Sequence, residues 1–161
     1  MVVENIFDSV FYPAFKEYVE AHNNYSAKVV KINPEDSKVF PIIPVRLLSV
    51  SNRYNNLNYG EETYSFGIEI DIYAVDTTVE EVVTENSQST VIHKKVSKKM
   101  VCDNLCEIIV DYIKETYHFT VRVNHDAPNM DTNVHRTLIR LTGVLDTKYG
   151  NDNLVIYPTL R

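Results

Sequence analysis

Three absences in this 161-residue sequence exclude several classes of function. It contains only four glycines, and it has neither a Gly-rich phosphate-binding loop nor a GxSxG nucleophile motif. No apolar run reaches the length of about 18 residues that marks a membrane-spanning helix. Acidic residues outnumber basic ones by 22 to 16, which gives a net charge of −6. We therefore expect no membrane span and no broad basic surface for direct binding of nucleic acid.

Cysteine is also scarce. Cys102 and Cys106 are the two cysteines, and their spacing in a predicted helix puts both on one face without favouring a disulfide. We interpret them as small core residues in a reducing cytoplasm. A redox or zinc pair is the alternative, although no CxxC or HxxxH spacing supplies further ligands. Residues 1–5 lack the positively charged region of a secretory signal, so we expect none.

The clearest positive signal is a regular alternation over residues 64–74. Apolar side chains fall on one side, and small or acidic ones fall on the other, which predicts a half-buried β-strand. Glu69 and Asp71 share its outer face, which would meet water in a monomer. No cleft is indicated that would shift one of their pKa values away from the other for acid–base catalysis.

Arginines on two other predicted strands are the expected partners of these carboxylates. These partners are Arg46 on the preceding strand and Arg140 on a later one, a strand that also carries Arg136. We predict that Glu69 and Asp71 face Arg46, Arg140 or a neighbouring subunit, because opposite charges that face each other across a sheet attract.

The remaining periodicities predict one α+β domain of αββαββ order. Its sheet is mostly antiparallel, and two main helices pack on one face of that sheet. Pro13 predicts a kink, or the start of the regular helix, within the first helical stripe. Pro41 and Pro44 predict a strand that begins irregularly or lies at an edge. The predicted helices are 4–22 and 94–117. The predicted strands are 39–52, 64–74, 119–123, 135–148 and 153–158. The predicted connections are 23–37, 53–62 and 124–134.

The segment 76–93 is polar and has no helical stripe. Two interpretations stay open: a short protruding hairpin that turns at Asn86–Ser87, or a mobile loop. The lysines that follow, at 94, 95, 98 and 99, fall at the start of the predicted helix, against the preference of the helix dipole. They indicate either a solvated first turn or a contact with an acidic partner.

One loop carries residue types that bind divalent metals. These residues lie in or beside the loop 124–134, and they are His125, Asp126, Asp131 and His135. Carboxylates and imidazoles together can hold a divalent ion. Loops also favour Asp and Asn because of their turn geometry, and we prefer that interpretation. We predict no catalytic residue, no metal and no cofactor.

The order of these elements is similar to that of a known family. The chain has a leading helix and then a hairpin whose second strand reads IEIDIYA (68–74). An amphipathic helix, KKVSKKMVCDNLCEIIVDYI, follows, and then a polar loop with Pro128 and the strand RTLIRLTGVLD (136–146). This order resembles the tail terminator (tail-completion) proteins of tailed bacteriophages and their relatives at the head–tail junction, over roughly residues 5–148.

The resemblance implies a tail-terminator-like domain over 1–161 and a structural, non-catalytic role. Proteins of that family form a ring, usually hexameric, that caps the tail tube, ends its polymerisation and joins it to the head connector. The implied partners are further copies of the chain, the tail tube protein and the head–tail connector protein, with DNA only passing through the lumen and no membrane. The implied location is the virion head–tail junction, after assembly in the bacterial host cytoplasm. An acidic chain suits a DNA channel, because like charge avoids trapping the phosphates.

The segment 76–93 is longer than expected for that family. A neighbouring connector or adaptor protein of the neck therefore stays open as an alternative. A small metal-dependent hydrolase and a monomeric intracellular binding module are further alternatives. The interface candidates are Arg46, Glu69, Asp71, Glu80, Glu81, Glu85, Lys94, Lys95, Lys98, Lys99, Arg136 and Arg140.

Overall fold

The computed structural model describes residues 2–31, 39–54, 62–117 and 119–147. The predicted strand 153–158 and most of the predicted turn 53–62 lie outside these residues. The elements are α1 (Val2–Ile6), a π-helical turn (Phe7–Phe11), α2 (Tyr12–Ala21), β1 (Lys28–Lys31), β2 (Ile42–Tyr54), β3 (Glu62–Ala74), β4 (Thr77–Glu85), β5 (Gln88–Val96), α3 (Lys98–Thr116), β6 (Thr120–Asn124) and β7 (His135–Thr147).

The N-terminal helical segment follows the predicted stripe and its break. Its buried apolar side chains recur at helical spacing, and they are Phe7, Phe11, Phe15 and Val19. The π-helical turn ends at Phe11, and the regular helix α2 then begins with Pro13 in its first turn. The helical segment is continuous at this point, since the backbone N–H of Tyr12 donates to the carbonyl oxygen of Phe7. Pro13 has no backbone N–H to donate. The prediction of a regular helix that starts near Pro13 is confirmed.

Within the described residues, five strands form the main sheet, in the order β1-β2-β3-β7-β6. β1 runs parallel to β2, and the other neighbouring strands are antiparallel. The two helical segments pack with one face of this sheet in a shared apolar core, to which Phe15, Ile70 and Ile109 contribute. The predicted fold, an α+β domain with a mostly antiparallel sheet and helices on one face, is confirmed.

Two details at the start of the sheet differ from the sequence predictions. Residues Lys28–Lys31 form β1 inside the predicted connection 23–37. β2 is therefore flanked by β1 and β3, so the prediction of an edge strand is wrong. Pro41 lies directly before β2, and Pro44 lies within it, opposite Val30 of β1.

The segment after β3 forms a separate two-stranded sheet, β4–β5, which we call the hairpin arm (Thr77–Val96). Its turn residues Asn86 and Ser87 both have positive φ, 50° and 66°, as a two-residue type I′ hairpin turn requires. The hairpin interpretation of 76–93 is thus confirmed, with its turn where the sequence placed it.

Helix α3 starts four residues later than predicted. Lys94 and Lys95 belong to β5, so their assignment to the helix is wrong. The helix begins at Lys98 because Ser97 has an extended backbone and its side chain accepts a hydrogen bond from the backbone N–H of Met100, which is the usual N-cap arrangement. Cys102 and Cys106, farther along α3, are buried and unbridged, as the core interpretation predicted.

Candidate interaction surfaces

A row of charged residues crosses four strands on the sheet face opposite the helices. Arg46 on β2 lies opposite Glu69 on β3, and Glu69 lies opposite Arg140 on β7. Arg140 in turn lies opposite Arg122 on β6. Side chains alternate between the faces of a strand, so this row points away from the apolar core that Ile68 and Ile70 enter.

Glu69 and Asp71 are buried, contrary to the expectation that they would meet water. They are 1% and 6% exposed, because arginines of the neighbouring strands lie over them. Glu69 contacts Nη2 of Arg46 at 2.5 Å and Nε of Arg140 at 3.4 Å. The Nε of Arg136 donates a hydrogen bond of 2.8 Å to Asp71. The predicted cross-strand pairing is therefore confirmed for Glu69, whereas Asp71 pairs with Arg136.

The electrostatics of the Asp71–Arg136 pair are those of a buried ion pair. Burial raises the pKa of Asp71, and the hydrogen bond from Arg136 opposes that rise without cancelling it. The same hydrogen bond raises the pKa of Arg136. Burial also raises the pKa of the neighbouring Tyr73, and the charge of Asp71 adds to the effect. A carboxylate that already binds a guanidinium is held in place as a structural group.

We call this surface the arginine face: Arg46, Arg122, Arg136 and Arg140 with the carboxylates of Glu69 and Asp71. Four guanidinium groups and two carboxylates leave two positive charges in excess, although the chain as a whole has a net charge of −6. The side chains of Arg46 and Arg140 are 53% and 61% exposed. Arg122 has no carboxylate partner among the described residues. The apolar side chain of Leu48 is also exposed, at 43%.

The hairpin arm exposes apolar and acidic side chains together. Val82 and Val91 are directly opposite each other across the arm, and they are 64% and 53% exposed, with Ile92 at 45%. Residues 80–93, which we call the distal arm, contain three glutamates and neither lysine nor arginine. These glutamates are the predicted interface residues Glu80, Glu81 and Glu85, and all three are exposed.

The four predicted interface lysines do not form one cluster. Lys94 and Lys95 are on the hairpin arm, opposite Val79 and Thr78. Lys98 and Lys99 are in the first turn of α3 and reach their own chain. The Nζ of Lys98 donates to the carbonyl oxygen of Thr132 at 2.8 Å, and the Nζ of Lys99 lies 3.8 Å from Oδ1 of Asp126. Lys98 and Lys99 therefore contact the loop before β7.

That loop has the geometry of a turn. His135 Nε2 lies 2.8 Å from the carbonyl oxygen of His125, and Asp131 Oδ1 accepts the backbone N–H of Asn133. Asp126 Oδ1 is 3.7 Å from His135 Nε2. Over the described ranges, no three His, Cys, Asp or Glu side chains are arranged to hold a metal ion. The turn interpretation thus accounts for these residues.

No protein-family model matches this chain, and no curated protein matches it significantly. The resemblance to tail terminators therefore remains a prediction that rests on the order and pattern of the elements. None of the helices in the described part of the chain has the length and apolar character that crossing a bilayer requires.

Sequence reasoning missed several residues of the two surfaces. Arg122 alternates with Val121 and Val123 along the chain. This alternation would have been enough to predict that Arg122 lies on the arginine face. The exposure of Val82, Val91 and Ile92 had no such signal, because an apolar residue in a short strand is normally expected to be buried. Only the observation that the hairpin leaves the main sheet shows that these side chains lack cover.

Proposed function

We propose that this chain is a structural protein of the head–tail junction of tailed bacteriophages. In this proposal it assembles into a ring, hexameric as in the tail terminators it resembles. The ring caps the tail tube, ends tube polymerisation and joins the tube to the head connector. It assembles in the host cytoplasm and stays in the virion, and its chemistry is recognition without catalysis.

The head–tail assignment rests on the order of the elements, and the observation that supports assembly with other chains is the hairpin arm. An isolated two-stranded hairpin is marginally stable in water at best, yet this arm pairs nine residues of each strand outside the main sheet. Its central valines have no cover within the described part of the chain. A long exposed strand pair with apolar side chains is a liability unless another chain covers it. The arm therefore favours a protein that completes its structure by association.

A ring also needs two different surfaces on each subunit, because a closed cyclic contact with more than two subunits is heterologous. The hairpin arm and the arginine face differ in shape and in charge. For a lasting joint in a virion we expect each interface between neighbours to bury about 1,200 Å² or more in total.

Termination follows from the geometry of such a ring. One ring face complements the end of the tail tube, and the opposite face offers no site for another tube subunit, so growth stops where the ring binds. DNA passes through the lumen, and an acidic chain avoids trapping its phosphates.

The test compares tube growth with and without this chain. The tube protein is expressed alone and together with the chain, and tube lengths and end structures are measured by electron microscopy. We expect rings at one tube end and a narrow length distribution. Unregulated tubes without terminal rings contradict the terminator role. Rings that form but bind the connector and not the tube support the alternative, a connector protein of the neck.

A further inference from the structure

We propose that the distal arm (residues 80–93) docks on the arginine face of a second copy of the chain. This inference rests on the proposed ring and identifies the two surfaces that meet between neighbouring subunits. The occupant of the arginine face is the same chain, since the distal arm carries the complementary charge and apolar side chains.

Charge complementarity is the first argument. The distal arm has Glu80 on the face of Val82 and has Glu81 and Glu85 on the opposite face, without any lysine or arginine. The arginine face has two positive charges in excess. Arg122 adds an exposed guanidinium without a carboxylate partner among the described residues, directly opposite Arg140. Like charges in that position repel, and an arriving carboxylate would relieve the repulsion. Several such pairs together make docking sensitive to salt.

Apolar complementarity is the second argument. Val82 and Val91 share one face of the arm with Glu80 and are 64% and 53% exposed, whereas Ile92 is on the opposite face. Leu48, next to Arg46 on β2, is 43% exposed on the sheet. Contact between these side chains would remove apolar area from water on both partners at once. The charged groups around them would then form the polar rim that protein interfaces have.

Placement within the chain is the third argument, because the arm lies on the wrong side to reach its own arginine face. The base of the arm packs on the helix side, where Val79 joins the core. A cleft there is lined by the arm, by Tyr25 after α2, and by Met100 and Asn104 on α3. The arginine face is on the opposite side of the sheet. A distal arm that contacts an arginine face therefore contacts that of another copy. When each copy passes its arm on to the next, the contact is heterologous and can close into a ring.

A charge-reversal series tests the docking. The donor variant carries Glu80→Arg, Glu81→Arg and Glu85→Arg on the full chain. The control variant carries Glu107→Arg, Asp111→Arg and Glu115→Arg, which make the same charge change on exposed positions of α3. Sedimentation velocity and native mass spectrometry measure self-association. We expect the donor variant to associate about 100-fold or more weakly, because like charges would then face each other, and the control to associate as the wild type does.

Rescue makes the test specific. The receiver variant carries Arg122→Glu and Thr142→Glu, two exposed positions of the open face. We expect it to be monomeric alone, since its face then repels the glutamates of the arm. A chain that carries both the donor and the receiver substitutions should recover the wild-type oligomer. Circular dichroism checks that each variant is folded.

A photo-crosslinking amino acid at Val82 supplies a measurement that does not depend on charge variants. Crosslinks between copies are expected to map to β2, β6 or β7, and crosslinks to α2 or α3 of the neighbouring copy would overturn the docking. A donor variant that keeps the wild-type oligomer would also overturn it while leaving the ring intact. A wild-type chain that stays monomeric, both alone and with tail tubes, would overturn the ring and the docking together.

Discussion

Val82 lies directly opposite Val91 on the hairpin arm, and the two side chains are 64% and 53% exposed. Replacing both with threonine keeps β-branching but makes the pair polar. Because neither side chain is part of the core, we expect the stability of the monomer to change by less than about 0.5 kcal/mol. Self-association and tube capping should weaken. Urea denaturation and sedimentation velocity measure the two effects.

The matched control for this substitution is Val39→Thr. Val39 is 62% exposed and lies before β2, outside the arm. The Val39→Thr substitution should leave self-association of the chain unchanged. Equal association of the wild type, the double variant and the control would show that the exposed valines play no part in assembly.

The ion pairs around Glu69 predict that removing its charge lowers the stability of the fold more than removing an exposed charge does. Glu69→Gln leaves Arg46 and Arg140 facing a neutral group at a position that is 1% exposed. Both arginine side chains are more than half exposed and stay solvated. We therefore expect the free energy of unfolding to fall by about 1–3 kcal/mol, less than it falls when a fully buried pair is broken.

Asp8→Asn is the surface control for this loss. Asp8 pairs with Lys31 at 2.9 Å, and both side chains are at least 40% exposed. Loss of this ion pair should lower the free energy of unfolding by less than about 1 kcal/mol. Urea denaturation at neutral pH compares the two variants. Equal costs would mean that burial adds nothing to the pairing of Glu69.

Two glycines of adjacent strands should respond in opposite ways to a methyl group. A Cβ at Gly143 would lie 2.6 Å from Cζ of Phe66 and 2.7 Å from Cε1 of Phe119. Gly143→Ala should therefore destabilise the fold by about 1–3 kcal/mol through overpacking. A Cβ at Gly67 would meet Leu48 at 3.6 Å, an ordinary contact.

Gly67→Ala should leave stability unchanged or raise it by up to about 1 kcal/mol, because alanine loses less backbone entropy on folding. Thermal and urea unfolding measure both variants. A destabilisation at Gly67 as large as that at Gly143 would show that contact distance is not what separates the two positions.

The buried thiols predict a loss of stability at alkaline pH. Burial raises the pKa of Cys102 from 9.0 to about 12 and that of Cys106 to about 11. Above pH 9 the unfolded chain ionises these thiols while the folded chain keeps them protonated, so folding stability is lost as pH rises from 9 towards 11. Each thiol contributes a fall of about 1.4 kcal/mol per pH unit in that window.

Denaturant midpoints measured between pH 8 and 10.5 check this dependence. A Cys102→Ala, Cys106→Ala variant is less stable at pH 8 because it leaves small cavities. Its stability should nevertheless fall less steeply with pH, although the tyrosines still titrate. Parallel pH profiles for the wild type and the variant would rule out the thiols as the cause.

Local patterns were sufficient for much of the fold. The alternation over 64–74 predicted β3, and Asn86–Ser87 predicted the turn of the arm, because both signals lie within a few neighbouring residues. β1 was missed because four residues within a polar connection leave too little pattern, and its pairing with β2 is parallel and non-local. Lys94 and Lys95 were misplaced because Val96 continues the helical period, although Ser97 marks the true start of α3.

The candidate surfaces were predicted less completely, and burial is the reason. Alternation correctly placed Glu69 on the face away from the core, yet it gave no information about what covers that face. The cover comes from Arg46 and Arg140 on two different neighbouring strands. Their positions depend on strand order and register, which are set by the packing of the whole sheet.

Asp76 is the last residue before the hairpin arm, and its Oδ1 accepts a hydrogen bond of 2.8 Å from the backbone N–H of Lys98. The root of the arm is thus tied to the first turn of α3, on the far side of the arm in sequence. A partner that swings the arm must break this bond and leave an amide of the helix end without its acceptor. This hydrogen bond therefore opposes rotation of the arm about its root, so that a subunit offers its neighbours an arm that is partly oriented before they meet.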